Sequence, residues 1–326
     1  MAVDFLPENV KLPVGQRVYS EKKMEHEGMK PHRRLVAMST LFVYTAWPYI
    51  LMFLLIFSWW RPVLILNLAL YSTVLFPTKV FWPEFLNMSM FNTWREYFSF
   101  SYKFEEELDA GSRYIIAEFP HGTYPVGPLL AGTLIPRMFP GRCVLSVGAS
   151  VLFRIPLYKQ MFSWMGCQPA DRKTFQSLLE KADVAAVVGG VGEMFMQYEE
   201  KEQVLLGSRK GFIKMALANG ADLLPVYHFG NSRVLSIGPR SLMNFCRRLR
   251  ISVGILVGRW GLPLPREVPI YMVVGRPVKV EKVGWDSPNF QEKVNELHEK
   301  FKKELQRLYE DNKADFGWAK RPLVIA

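Results

Sequence analysis

Apolar and polar positions divide the chain into three stretches. Residues 1–34 are polar and irregular and carry Lys22, Lys23, Lys30, Arg33 and Arg34. Residues 35–60 hold no charge, which at a rise of about 1.5 Å per residue is long enough to cross a bilayer core of about 30 Å. Arg61-Pro62 interrupts this run, and residues 63–76 are again uncharged but make only about half a comfortable span. Residues 84–112 read as an amphipathic connector of mixed charge. Short apolar runs then alternate with helical periodicity. Buried strands are predicted at 114–117, 143–147, 184–188 and 223–227, and helices at 126–139, 156–165, 173–181 and 210–219. Gly220 suits the left-handed stop of the last of these helices. Ser287-Pro288 reads as the cap and first residue of a helix reaching about Asn312, with Val294, Leu297, Phe301, Leu305 and Leu308 on one face. Strands alternating with helices predict an α/β layered fold with a largely parallel sheet.

The uncharged stretches admit two membrane arrangements: a helical hairpin with Arg61-Pro62 at its tip, or one spanning helix followed by an interfacial segment. Basic residues at both ends (Arg33 and Arg34, then Lys79) favour the hairpin, with both ends on the cytosolic side. Trp47, Trp59, Trp60, Tyr71 and Trp82 have the character of interfacial aromatics. A buried core hairpin of a soluble protein is the plainer alternative. A cleavable secretory signal would begin within the first residues, and none does. The expected organisation is a polar segment 1–34, membrane-embedded helices 35–82 and a cytosol-facing domain 83–326.

Composition narrows the partners. The net charge of +11 favours an anionic surface or ligand: a membrane face, a nucleotide-bearing substrate or nucleic acid. The last is disfavoured because no finger or RNA-binding aromatic signature is present. Cys143, Cys167 and Cys246 are isolated and lack metal-ligand or redox spacing, which fits a reducing, cytosol-facing location and no metal site. Residues 240–275 interleave Arg240, Arg247, Arg248 and Arg250 with Phe245, Leu249, Ile251, Trp260 and Leu262. That pattern suits a membrane surface or, equally, a solvated basic face over core residues.

Candidate chemistry sits where strands stop. His121 lies in Phe119-Pro-His-Gly122 directly after a buried strand, with Pro120 setting the turn and Gly122 permitting close approach of a ligand. Histidine is the side chain suited to act as a neutral base near pH 7. Glu193 ends the glycine-rich run Gly189-Gly-Val-Gly-Glu193, which lacks the lysine of a nucleotide-hydrolysing loop. Glu193 is a candidate to orient His121 or to hold a hydroxyl, with an exposed loop carboxylate as its plainer reading, and Glu118 is a second candidate to orient His121. Arg209 and Lys210 open a helix whose free N–H groups favour anions, so they are candidates for substrate phosphates, with Arg154 and Arg172 as further candidates. Surface ion pairing is the plainer role for all four.

At these residues the chain resembles the diacylglycerol acyltransferase 2 family, which includes monoacylglycerol and wax-alcohol acyltransferases. The matching stretches are Phe119-Pro-His-Gly122, Phe153-Arg-Ile-Pro156, Gly189-Gly-Val-Gly-Glu193, the block from Arg209 to Gly230, Val273-Val-Gly-Arg-Pro277 and Asn312-Lys-Ala-Asp-Phe-Gly317. The resemblance implies an acyltransferase-like fold and transfer of a fatty acyl group from acyl-CoA, a co-substrate, to the hydroxyl of diacylglycerol. It implies no further cofactor and a location at the endoplasmic reticulum membrane and lipid droplets. His121 is then the general base, with Gly122 and Thr123 near the oxyanion. Phe119, Pro120, Arg154, Arg172, Arg209, Lys210, Gly211 and Phe212 are the residues expected against substrate. Two departures stand out: Phe119 replaces the first His of the usual His-Pro-His-Gly, and Val126 stands where the wider glycerolipid acyltransferases place an Asp. The alternatives are a monoacylglycerol or fatty-alcohol acceptor, or an inert lipid-binding or droplet-scaffold protein.

Overall fold

The computed structural model describes residues 14–21, 28–196, 200–238 and 254–326. In chain order it runs β1 (Val18–Tyr19), α1 (Pro31–Ile56), α2 (Arg61–Ser72), α3 (Pro83–Leu86), α4 (Ser89–Tyr97), β2 (Ser101–Phe104) and β3 (Tyr114–Phe119). There follow α5 (Val126–Gly132), α6 (Ile135–Met138), β4 (Val144–Gly148), α7 (Tyr158–Trp164), β5 (Cys167–Pro169), α8 (Arg172–Leu179), β6 (Asp183–Val187) and β7 (Glu202–Val204). The last part comprises α9 (Gly211–Asn219), β8 (Asp222–Phe229), α10 (Asn231–Val234), β9 (Ser236–Gly238), β10 (Ile255–Val257), β11 (Tyr271–Val274), α11 (Phe290–Asn312) and β12 (Leu323–Ile325).

Eight strands form one sheet in the order β1-β2-β11-β8-β3-β6-β4-β5. From β8 to β5 every pairing is parallel, while β11 runs antiparallel to β8 and β1 to β2. β3 and β8 are buried at every position, as expected of parallel strands covered on both faces. Alternate side chains point to opposite faces and build two cores. Tyr114, Ile116, Leu224 and Val226 pack on one side with Ala37 and Leu41 of α1, Trp94 of α4 and Leu130 of α5. Ile115, Ala117, Phe119, Leu223 and Phe229 pack on the other with Phe175 of α8, Ile213 of α9 and Phe301 of α11.

Several sequence expectations change. The connector 84–112 contributes α3, α4 and an inner strand, β2, because Phe91, Trp94, Tyr97, Phe98 and Phe100 are core residues. The single helix expected at 126–139 is two short helices. The last helix starts at Phe290, with Asn289 rather than Ser287 at its cap, and the Ser287 hydroxyl bonds Asn289 Oδ1 instead. The basic cluster Arg240, Arg247, Arg248 and Arg250, with Phe245, Leu249, Ile251 and Cys246, lies outside the described residues.

The uncharged stretches form α1 and α2, but α1 is not wholly separate from the domain. Ala37, Leu41, Tyr44, Thr45, Ala46 and Leu51 are buried, and Trp47 Nε1 donates to the Pro156 carbonyl at 2.8 Å. Beyond Leu51 the helix is exposed at Met52, Phe53, Leu55 and Ile56. α1 is long and apolar enough to cross a membrane. α2 has 12 residues, a rise of about 18 Å, and is not. Asn67 of α2 donates to the Leu54 carbonyl at 2.8 Å and to Ser58 Oγ at 2.7 Å, tying the two helices together near their shared turn.

Candidate functional site

Parallel strands deliver their following loops to one edge of the sheet, where ligands of α/β folds bind. His121 lies in the loop after β3, Arg154 in the 3-10 turn after β4, Arg172 at the first position of α8 after β5, and Glu193 in the 3-10 turn after β6. Arg209 and Lys210, at the amino end of α9, belong to the same edge because α9 returns to parallel β8.

His121 sits half-buried in the turn, after a cis Phe119–Pro120 peptide. Its Nδ1 stands 2.8 Å from its neighbour's carbonyl, Gly122 O. A carbonyl only accepts, so Nδ1 carries the proton in this bond and Nε2 of the neutral ring keeps its lone pair. Burial holds the imidazole pKa below its usual 6.5, against the opposing pull of the Gly122 carbonyl. The ring is therefore neutral at pH 7. Gly122 has φ +60°, and a β-carbon there would come within 3.1 Å of Asn231 Nδ2.

Two elements grip the backbone of this turn. Glu193 Oε2 accepts the His121 N–H at 2.5 Å, and Oε1 accepts the Leu205 N–H at 2.7 Å. Burial pushes the Glu193 pKa up to about 7, opposed by those N–H groups and by nearby Arg209. Glu193 thus holds the His121 main chain, not its imidazole. On the other side Asn231 Nδ2 donates to the carbonyls of Pro120 at 3.1 Å and His121 at 3.0 Å, while its Oδ1 accepts the Gly127 N–H at 2.8 Å.

Glu118 does not orient His121. Its carboxyl stands 2.7 Å from Nε2 of His228, a partner on neighbouring β8, and both residues are buried. Thr123 is buried with its hydroxyl unpartnered, which leaves Oγ1 free to donate to a bound oxygen. Phe119 and Phe212 are core residues that both pack against Phe301, at ring distances of 6.2 and 5.2 Å. Pro120 is buried and meets Asn231.

Four cations were expected at substrate phosphates. Arg209 is exposed beside the Glu193 loop, where it draws down the carboxyl's pKa, and Arg154 is also exposed. Lys210 Nζ instead donates to Asn295 Oδ1 of α11 at 2.8 Å, and the Arg172 guanidinium lies 3.9 Å from the Trp285 ring centre. Gly211 is exposed with open space around it, so nothing approaches it closely. Among the described residues no three of His, Cys, Asp or Glu are arranged to hold a metal ion.

A family model described as diacylglycerol acyltransferase matches residues 52–326, a stretch that includes the turn, the Glu193 loop and the amino end of α9. The chain belongs to the diacylglycerol acyltransferase family. It is 30% identical to bovine diacylglycerol O-acyltransferase 2-like protein 6, over 71% of this chain and 75% of that one. It is also 30% identical to the Saccharomyces cerevisiae diacylglycerol O-acyltransferase 1, over 69% of this chain and 59% of that protein, and so spans under two thirds of the yeast relative. Human 2-acylglycerol O-acyltransferase 3 matches at 30% identity over 71% of this chain and 73% of its own length. Among solved structures, the 1-acyl-sn-glycerophosphate acyltransferase PlsC from Thermotoga maritima aligns with 85% of this chain and 99% of its own, at a TM-score of 0.40 and 15% identity.

Sequence reasoning missed His228, Asn231, Tyr124 and Tyr158. The signal for the first was present: a histidine inside the apolar run 222–229 needs a buried partner, and Glu118 in the adjacent apolar strand is the only carboxylate of β3. Tyr124 and Tyr158 share a hydroxyl–hydroxyl hydrogen bond of 3.0 Å, and Tyr158 donates to the Tyr44 carbonyl of α1 at 2.5 Å, which links the His121 turn to the apolar helix.

Proposed function

We propose that this chain is a membrane-bound acyl-CoA:diacylglycerol acyltransferase with His121 as general base. The observation that carries the reading is the hydrogen bond from Nδ1 to Gly122 O, which leaves Nε2 as a base on a ring kept neutral by burial. Nε2 takes the proton from the acceptor hydroxyl as its oxygen attacks the thioester carbonyl. The tetrahedral oxyanion accepts a hydrogen bond from the Thr123 hydroxyl, the unpartnered donor of the turn. Collapse expels the CoA thiolate, which takes the proton back from the imidazolium. In that cationic interval the Gly122 carbonyl faces the charged ring, the place a carboxylate occupies in other His-based sites. The main-chain N–H of His121 is committed to Glu193, and that of Gly122 also bears on the same carboxyl. The oxyanion therefore rests on Thr123 rather than on Gly122. Arg209 is the cation assigned to the CoA phosphates; Arg154 stands further along the same edge.

Exposed α1 beyond Leu51 and exposed α2 are assigned to the bilayer of the endoplasmic reticulum, with the domain on the cytosolic side and access to lipid droplets. Protease digestion of sealed microsomes should remove a C-terminal tag without detergent; its protection would place His121 in the lumen and overturn this orientation. A monoacylglycerol acceptor is the second reading, favoured by the likeness to the human 2-acylglycerol enzyme. An acceptor panel with one labelled acyl-CoA separates the two. Triacylglycerol as the main product supports the proposal, diacylglycerol as the main product supports the second reading, and no ester from any acceptor contradicts both.

A further inference from the structure

Two loops clasp α1 at the level where it leaves the domain. The Pro156 carbonyl accepts Trp47 Nε1, the Pro263 carbonyl accepts the Thr45 hydroxyl, and the Gly254 carbonyl accepts the Tyr49 hydroxyl at 2.6 Å. Each loop holds a bulky apolar residue in the left-handed backbone region: Leu157 at φ +64° and Trp260 at φ +56°. That region is disfavoured for residues with a β-carbon, and neither side chain has the short polar group that relieves it in Asn or Asp.

The strain does not serve the core. Leu157 is 47% exposed and Trp260 69% exposed. Beside them Val151, Ile255 and Leu262 are also exposed, and the 3-10 turn Ser150–Arg154 buries none of its residues. Strained backbone that holds large apolar side chains outward marks a functional surface. The clasped residues Thr45, Trp47 and Tyr49 lie within two turns of the exposed apolar end of α1, Met52 to Ile56, so the loops stand at the base of that exposed segment. The guanidinium of Arg259 stands 4.8 Å from the Trp260 ring centre, an apolar ring with a cation beside it, as suits the headgroup layer.

We propose that the loops of Leu157 and Trp260 form a collar that seats in the interfacial layer of a lipid bilayer. The partner is the lipid surface itself, and continuity with the exposed helices selects it. The collar fixes how deep the chain sits: α1 and α2 insert below it as a wedge. Leu157 adjoins Tyr158, whose hydroxyl meets that of Tyr124, three residues from His121. The collar therefore holds the catalytic turn at the membrane surface, where a diacylglycerol is reached without leaving the bilayer. This deepens the acyltransferase reading and rests on it for the kinetic arm of the test.

The kinetic test is the full-length Leu157→Gly/Trp260→Gly protein. Glycine relieves the backbone strain, so folding is preserved while the apolar anchors are lost. With diolein in phosphatidylcholine vesicles, the KM for diolein should rise about tenfold, the change expected if each of the two side chains is about half buried in the interface. The KM for acyl-CoA and the rate on a monomeric short-chain diacylglycerol should stay unchanged. An unchanged vesicle KM, as a loop facing water or a protein partner would give, overturns the collar. So does an equal loss on the monomeric acceptor, which would mark a purely structural role. Fluorescence gives a readout independent of activity. In vesicles of shallow-brominated phosphatidylcholine, Trp260→Phe should lose part of the quenchable tryptophan emission, whereas quenching equal to that of the unsubstituted protein overturns the proposal even if the protein makes no ester.

Discussion

Gly189→Ala isolates the grip of Glu193 on the His121 turn. Gly189 has ordinary helical torsions, φ −60° and ψ −36°, so alanine brings no backbone strain. The effect is steric alone: a β-carbon there would fall 1.9 Å from Glu193 Cδ and 2.0 Å from Oε1. To regain an ordinary separation of about 3.5 Å the carboxyl must retreat by about 1.6 Å. Its bonds to the His121 and Leu205 N–H groups, at 2.5 and 2.7 Å, cannot survive that movement. With a pKa of about 7 Glu193 is about half ionised at neutral pH, and a bond is worth about 0.5–1.5 kcal/mol to its neutral form and about 1.5–3 to its charged form, so losing both is worth about 1–6 kcal/mol. A displacement of about 1 Å at a reacting group lowers rate by about 10²-fold. The expected result is therefore a fall in kcat of about that size in a labelled acyl-CoA assay. The neighbouring Gly190→Ala is the control. Gly190 has φ +61° and open space around it, so alanine should cost about 1–2 kcal/mol of strain without moving Glu193. A Gly189→Ala enzyme within about threefold of the parent, or no more impaired than Gly190→Ala, would refute the role given to Glu193.

Further expectations concern pH and the cation at the site. The base form of His121 is the neutral one and burial lowers its pKa, so the limb that His121 gives kcat/KM should lie below pH 6.5, while protonation of Glu193, whose pKa is about 7, adds a separate loss as pH falls through 7. A limb above pH 6.5 that persists in Glu193→Gln would contradict the burial argument. Arg209→Ala should raise the KM for acyl-CoA with little change in that for diacylglycerol, whereas Lys210→Ala, already bonded to Asn295, should do less; equal effects of the two would return Arg209 to a solvated role. Thr123→Val keeps the shape and removes the unpartnered donor, so kcat should fall by about 10²-fold or more with acyl-CoA affinity unchanged. A full rate in that variant would move the oxyanion contact elsewhere.

The parallel part of the sheet was legible because β3, β4, β6 and β8 are apolar runs bounded by turn residues, and burial on both faces requires such runs. β2 and β11 were not, since short edge-side strands become strands only through the partners they meet. That part of α1 packs on the domain was not legible for a related reason: a helix face that packs against Trp94 is as apolar as one that meets lipid. His121 and Glu193 were legible from their turns, but the nature of their contact was not. Sequence suggests carboxylate to imidazole, whereas the structure places carboxylate on main-chain N–H and gives the imidazole a carbonyl. Glu118 went astray for the same reason, being close in sequence to His121 but on the strand face that points to His228.

The most direct measurement is single-turnover acyl transfer to diacylglycerol by the parent and by His121→Ala, both in the same vesicles. Loss of the general base should slow ester formation by about 10²–10⁴-fold, with acyl-CoA binding and the thermal unfolding midpoint retained. Ester formed by His121→Ala within about threefold of the parent rate would contradict the assignment of Nε2 as the base.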